Sequence, residues 1–425
     1  MNYKLHYLPS GLRVLAVPMA NLESVTVTVW VKTGSRNEEE KVGGISHFLE
    51  HMVFKGSAKR PSAKEISVAV DSIGGEFNAG TSKDWTNFYI KTSVNNLETA
   101  FDVLSDMVLN PLLKTDEIER EKGTIIQEIA MYEDTPMVKV GEVFENLIFA
   151  GNTLSWDTAG TPKTVKNITR DDFLRYRKMH YYSENMLVSV AGGVSEEKAL
   201  ELVKKYFADI KKSSSPEYKY QHFETKQKLP QIKLKTKKEE QAHFILGFMA
   251  DGRKYKGRYA QGLLSAVLGG GMSSRLWVEV RERRGLAYAV RTSVDRYLET
   301  GYIGTYAGVD PKRVDEAIKV ILDQLYGITS GKYPITIKEL KDFKEFLKGR
   351  SALALEDTKM VSDFFSDQVL FMDHVLTPKE VFKKVDEVSL DEINFEAGRL
   401  FIPSRLNLAI IGNYNDEAKF KKLLR

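Results

Sequence analysis

The sequence predicts an α+β protein in which one unit of about 200 residues is used twice. Three observations carry this expectation. A stretch of helix, polar turn, apolar strand and glycine occurs twice at one constant offset. Apolar strands that lead into glycine-opened helices also occur twice. Strands and helices are intermixed without a steady β-α-β alternation, which favours a largely antiparallel sheet in each copy with helices packed on one face.

Along the chain, TVTVWVKTG (Thr26 to Gly34) reads as a strand ending at glycine, and GGISHFLEH opens a helix at Gly43. GGEFNAGTSKDWTNFY (Gly74 to Tyr89) combines a glycine turn with strand-forming Asn, Thr, Trp and Tyr, an ordinary hairpin by its residues alone. TDEIEREKGTIIQEIAMYED (Thr115 to Asp134) has an acidic first turn and apolar residues at helical spacing. A helix from Asp171 then ends in YYSENMLVSVAGGV (Tyr181 to Val194).

The second copy starts with the strand AHFILGFMADG (Ala242 to Gly252), continues through GGMSSRLWV from Gly270, and finishes with a helix from Asp391 and FIPSRLNLAIIGNY (Phe401 to Tyr414). Asn185 aligns with Arg405, Leu187 with Asn407 and Gly192 with Gly412, an offset of 220, whereas the two glycine-opened helices align at 227. The expected domains are residues 1–212 and 242–425. The lysine-rich stretch 213–241, which opens on a Ser/Pro break, is read as a solvated linker.

Composition bounds the function. The chain has 425 residues, too many for one comfortable core, and with 42% hydrophobic and 28% charged residues it is globular rather than disordered. A net charge of +4 is too small over such a surface to indicate a nucleic-acid partner. No apolar run reaches the ~20 residues of a membrane span, and MNYKLHYLPSGLRVLAVP contains no apolar stretch of signal-peptide length, so no membrane partner and a reducing, cytoplasmic compartment are expected. There is no cysteine, so a metal site would have to draw on Asp, Glu and the seven histidines.

His47, Glu50 and His51 form a His-x-x-Glu-His pattern on the helix after Gly44. At about 100° per residue, His51 lies roughly 40° from His47 and Glu50 roughly 60° to the other side, so all three share one stripe. Ile45, Phe48, Leu49, Met52 and Val53 take the opposite side. A catalytic zinc wants three protein ligands and an open position, and the acidic helix is the best supplier of the third. Glu121 and Glu128 are seven residues apart and share a face. One of them can ligate while the other orients an imidazole. By itself such a helix also reads as a solvated surface.

The inverted motif, the 76 residues between His51 and Glu128, and the segments SGLRVLAVP, GGEFNAGTSKDWTNFY, YYSENMLVSVAGG and GGGMSSRLWVEVRERRGLAY together resemble the pitrilysin and insulinase family of zinc metallopeptidases over nearly the whole chain. In length and duplication they resemble most the β-subunit of mitochondrial processing peptidase and its bacterial relatives. The resemblance implies a zinc-dependent endopeptidase or oligopeptidase acting on extended or unfolded peptides, with one Zn2+ per chain held by His47, His51 and Glu128. It implies that Glu50 is the base acting on the zinc-activated water, with Glu121 orienting a ligand from behind. It also implies that Phe77, Asn78 and Ala79 lie on an edge strand that pairs with the peptide, and that Arg281 and Tyr288 grip substrate carbonyls and the developing oxyanion. Where members of this family often carry His-Pro after the zinc-glutamate helix, this chain has GNTLSWDTAGTP (Gly151 to Pro162).

Aligning the two glycine-opened helices places Ser274 opposite His47, Trp277 opposite Glu50 and Val278 opposite His51, so only the first copy is expected to hold a metal. One chain then carries both the zinc motif and the Arg/Tyr pair. The expected partners are peptide substrates and a second copy in a homodimer, with a related subunit in a hetero-oligomer as the other possibility. A non-catalytic scaffold or assembly subunit is the alternative reading of the same fold.

Overall fold

In the computed structural model, which describes residues 1–213 and 220–424, the first six strands form one sheet. They are β1 (Lys4–Tyr7), β2 (Arg13–Pro18), β3 (Ser24–Val31), β4 (Glu76–Thr81), β5 (Thr86–Ser93) and β6 (Met186–Gly192), in the order β1-β2-β6-β3-β5-β4. Only the β2/β6 pair is parallel. The alternation in SVTVTVWV shows why β3 is central. Val25, Val27, Val29 and Val31 all point into a core with Phe88, Ile90, Phe101 and Leu104, each burial being worth about 1.5–3 kcal/mol.

The intervening Thr26 and Thr28 face the other way and are also buried. Their hydroxyls are satisfied by the helix Thr358–Phe371: Thr26 bonds Thr358 at 2.7 Å, and Ser362 Oγ shares hydrogen bonds with Thr28 Oγ1 at 3.1 Å and Ser189 Oγ at 3.0 Å. A buried polar face of this kind is stable only because each hydroxyl finds a partner.

The second sheet contains β7 (Gln231–Thr236), β8 (Ala242–Asp251), β9 (Ala287–Arg296), β10 (Thr300–Val309) and β11 (Asn407–Gly412), ordered β7-β11-β8-β10-β9. This repeats β2-β6-β3-β5-β4 strand for strand, with the one parallel pair, β7/β11, in the matching place. The 220-residue offset therefore marks a real duplication, β6 and β11 being its copies.

Three details differ from the sequence expectations. Residues 231–236, assigned to a linker, form β7, in which Ile232 and Leu234 pack on the core while the lysines alternate outward along a sheet edge. The Ser/Pro opening of that stretch, residues 214–219, lies outside the described residues. The compact units are also not the contiguous blocks 1–212 and 242–425. One comprises 1–130, 156–221 and 352–378, the other 131–155, 222–351 and 379–425. Each thus holds a segment from the other half of the sequence, and that segment supplies a helix to the second face of its sheet.

The third difference concerns the helices. α1 (Ile45–Val53) and α2 (Ala63–Asp71) lie between β3 and β4, while the helix Arg258–Gly269 and a π-helical turn Trp277–Glu282 lie between β8 and β9. The counterpart of α1 is therefore Arg258–Gly269, and the Gly270 segment corresponds to α2. Ser274, Trp277 and Val278 are not the equivalents of His47, Glu50 and His51. A glycine pair marks a local turn and can precede either helix. The corrected partner, RYAQGLLSAVLG, holds no His, Asp or Glu, so the second copy still cannot repeat the motif.

Of the helices that follow β5 in the first unit, α3 (Leu97–Leu109) covers the sheet and α4 (Thr115–Glu133) packs against α1. In the second unit, α5 (Pro136–Ile148) lies against β11 and β8 through Val140, Val143 and Phe144.

One buried group gives the fold a pH signature. His180, at the end of the helix Arg170–His180, is 3% exposed, and burial holds its pKa down at about 4. The unfolded chain, with a His pKa near ~6.5, takes up the proton first. The fold therefore carries no penalty above pH ~6.5 and a growing one as pH falls toward 4, about 2 kcal/mol between pH 7 and pH 5. Melting curves at those two pH values should show a smaller acid shift for His180→Gln than for wild type.

Candidate active site

α1 begins where two chain segments touch. Gly44 has φ +94°, and a Cβ there would meet Ala159 O at 2.6 Å, so only glycine admits this helix start. Buried N–H groups at the start of the helix are capped by Glu38, whose carboxylate accepts from Gly44 N at 2.7 Å and Ser46 N at 2.8 Å. Burial lifts the Glu38 carboxyl to about 7 against those hydrogen bonds. The apolar stripe is fixed by Ile45, Phe48, Leu49 and Met52, which pack with Ile118, Ile125 and Phe173. With that side buried against α4, the His47, Glu50 and His51 side is left partly open.

On that side the chain brings three donors together. His47 Nε2 lies 3.3 Å from His51 Nε2, His47 Nε2 lies 3.6 Å from Glu128 Oε1, and His51 Nε2 lies 3.4 Å from Glu128 Oε2. Ligands bound at ~2.0–2.1 Å in a tetrahedron stand ~3.3–3.4 Å apart, so this donor set has the spacing of a zinc site. Two imidazoles and a carboxylate suit zinc chemically, with no thiolate available in the chain.

Glu121 does something different from Glu128. Its Oε1 pairs with His51 Nδ1 at 2.8 Å, and its Oε2 receives Lys55 Nζ at 2.7 Å. A proton on Nδ1 leaves Nε2 as the free lone pair facing the other donors. Burial alone would raise the Glu121 carboxyl, but His51 and Lys55 hold it below the ordinary range. For His51, burial disfavours charge, yet the hydrogen bonds and charges of Glu121 and Glu128 outweigh it and raise the ring to about 9. The protein thus places a surplus of negative charge where a cation would sit.

Glu50 stands beside this group on α1 and accepts a hydrogen bond from Thr81. Phe77, Asn78 and Ala79 lie on β4, the edge of the first sheet. They do not present alike: the Phe77 ring packs on Phe54 at 5.5 Å, whereas Asn78 is exposed and its Oδ1 accepts from Ala79 N at 2.8 Å.

Arg281 and Tyr288 belong to the second unit and form one assembly there. Arg281 Nη1 donates to Tyr288 O at 2.7 Å, and its guanidinium lies over the Trp277 ring at 4.2 Å and the Tyr288 ring at 5.0 Å. The Tyr288 side chain is 76% exposed on the edge strand β9. An apolar cleft of about 300 Å³ adjoins them, lined by Gly270, Met272, Trp277, Val290 and Tyr306. Sequence reasoning missed Glu38, Lys55 and Thr81. Only Glu38 left a signal, as an acid just ahead of a helix start.

Comparisons with known proteins give the chain's family and fold relatives. Residues 13–161 match the family described as insulinase (peptidase family M16), and residues 167–347 match the peptidase M16 inactive domain. An uncharacterized zinc protease of Streptomyces coelicolor is 34% identical over 96% of this chain and 89% of its own. Another, from Bacillus subtilis, is also 34% identical, covering 92% of this chain and 94% of its own. Among solved structures, a protease from Helicobacter pylori superimposes with a TM-score of 0.91 at 25% identity, covering 97% of this chain and 99% of the other.

Proposed function

The chain belongs to the insulinase family of peptidases, M16, and on that premise we propose that it is a zinc-dependent endopeptidase or oligopeptidase cutting extended or unfolded peptides. The observation that carries this reading is the His47, His51 and Glu128 donor set with the Glu50 carboxylate beside it. These three side chains would hold one zinc per chain. When bound, the metal supplies a Lewis acid that acidifies water and polarises a carbonyl.

The rest falls to the chain's own residues. Glu50 accepts a proton from the attacking water and returns it to the leaving amine nitrogen. Glu121 fixes the His51 tautomer so that Nε2 stays available. The free edge of β4 at Phe77, Asn78 and Ala79 offers main-chain hydrogen bonds to an extended peptide, a mode indifferent to most side chains. Tyr288 and Arg281 donate to substrate carbonyls and to the oxyanion of the tetrahedral intermediate. The second unit, which holds residues 222–347 of the stretch matching the inactive domain, contributes binding rather than a second metal site.

A peptide library incubated with wild type and Glu50→Gln, with metal analysis of both, tests the reading. Cleavage by wild type alone, at equal zinc content, supports it. A zinc-loaded protein inert toward every peptide would instead favour a scaffold or assembly subunit.

We further propose a homodimer in which Arg281 and Tyr288 of one copy serve the zinc site of the other. Glu50→Gln and Tyr288→Phe proteins, mixed under conditions that exchange subunits, should then regain roughly a quarter of wild-type activity by random assortment. No recovery despite confirmed exchange would mean that the pair acts within one chain or with a related subunit.

A further inference from the structure

Glu50 has one hydrogen-bond partner among the described residues, the hydroxyl of Thr81, at 2.5 Å from Oε2. Thr81 ends β4, paired with Thr86 across the hairpin, and its turn is clamped. Ser82 N donates to Trp85 O at 2.8 Å, Ser35 N to Ser82 O at 3.0 Å, and Arg36 N to Lys83 O at 3.2 Å. Under these bonds the fully buried Arg36 and Asp84 pair at 2.9 Å. Gly34 lies so close that a Cβ on it would meet Ser82 O at 2.1 Å. The segment leading into α1 and the end of β4 are therefore locked together, and a β-branched side chain with few rotamers carries the hydroxyl between them.

We propose that Thr81 is a positioning residue for the base, holding Oε2 of Glu50 so that its other oxygen, Oε1, is the one offered to the attacking water. The inference rests on the assignment of Glu50 as the base. Thr81 belongs to the strand proposed to receive the peptide, so one strand both seats the substrate and aims the base. A Glu with free χ angles would spend much of its time misdirected, and preorganisation removes that loss.

Thr81→Val keeps the shape and removes the donor, and Thr81→Ser restores it. With a fluorogenic peptide, Thr81→Val should lower kcat about tenfold or more, as expected for a lost hydrogen bond to a charged group, with KM within about twofold. Thr81→Ser should recover to within about threefold of wild type. Zinc content and Tm should match wild type in both. In the Glu50→Gln background, the Kd for the same peptide should be unchanged by Thr81→Val. A Thr81→Val enzyme with wild-type kcat, with a raised KM alone, or with lost zinc would overturn this proposal alone. A wild type inert toward all peptides would overturn the assignment of Glu50 and this proposal with it.

Discussion

Glu50→Gln is expected to lower kcat by about 10³–10⁴-fold while leaving KM within about threefold and zinc content at the wild-type value. The amide matches the carboxylate in size and its oxygen can still accept from Thr81, so the side chain keeps its place. What it loses is the capacity to take and return a proton. Neither ligating imidazole is disturbed, because their mutual spacing is set by α1 and by Glu128. Steady-state kinetics on a fluorogenic peptide together with elemental analysis measure both quantities. Residual activity within tenfold of wild type would place the base elsewhere, and a loss of zinc would make Glu50 a ligand.

The parts of this site that were legible in the sequence are those governed by short-range periodicity. Three residues on one helical stripe had to share a side of α1, because Phe48, Leu49 and Met52 bury the other. The duplication was legible because β6 and β11 kept their spacing. Glu121 and Glu128 were correctly placed on one face, but the choice between them depended on depth. Seven residues advance a helix by ~10.5 Å, which puts one carboxylate at the Nε2 atoms and the other behind His51 at Nδ1.

What was not legible depended on distant contacts. β7 was hidden because its two inner positions, Ile232 and Leu234, are diluted by lysines suited to a sheet edge, so that charge outweighed alternation. Nothing local in the helix Thr358–Phe371 says that its Thr358 and Ser362 will meet Thr26, Thr28 and Ser189. Glu38 begins a run of three glutamates, and only the path of the loop, pinned by Arg36 and Asp84, decides which one turns in to cap α1. Thr81 is one hydroxyl among many until the hairpin turn is fixed.

Glu128→Gln and Glu121→Gln, changes of the same kind one heptad apart on α4, should separate into two phenotypes. Glu128 faces both Nε2 atoms, so its amide offers a neutral and weaker donor and removes charge at the metal. Glu128→Gln should emerge from dialysis almost free of zinc and lose about 10³-fold or more in activity, without recovery at micromolar zinc. Glu121 touches the imidazole from behind, so Glu121→Gln removes the charge opposite Nδ1 and the partner of Lys55, but no donor. Its zinc affinity should fall by about 10–100-fold, as for other outer-shell partners of ligating histidines. Activity at saturating zinc should return to within about tenfold of wild type, because Glu50, Glu128 and both Nε2 atoms are intact. Zinc competition against a chromophoric chelator, run beside peptide hydrolysis at rising zinc, distinguishes the two. Equal losses that zinc fails to rescue in either variant would show that both carboxylates are needed as ligands. Rescue of Glu128→Gln but not of Glu121→Gln would reverse their roles.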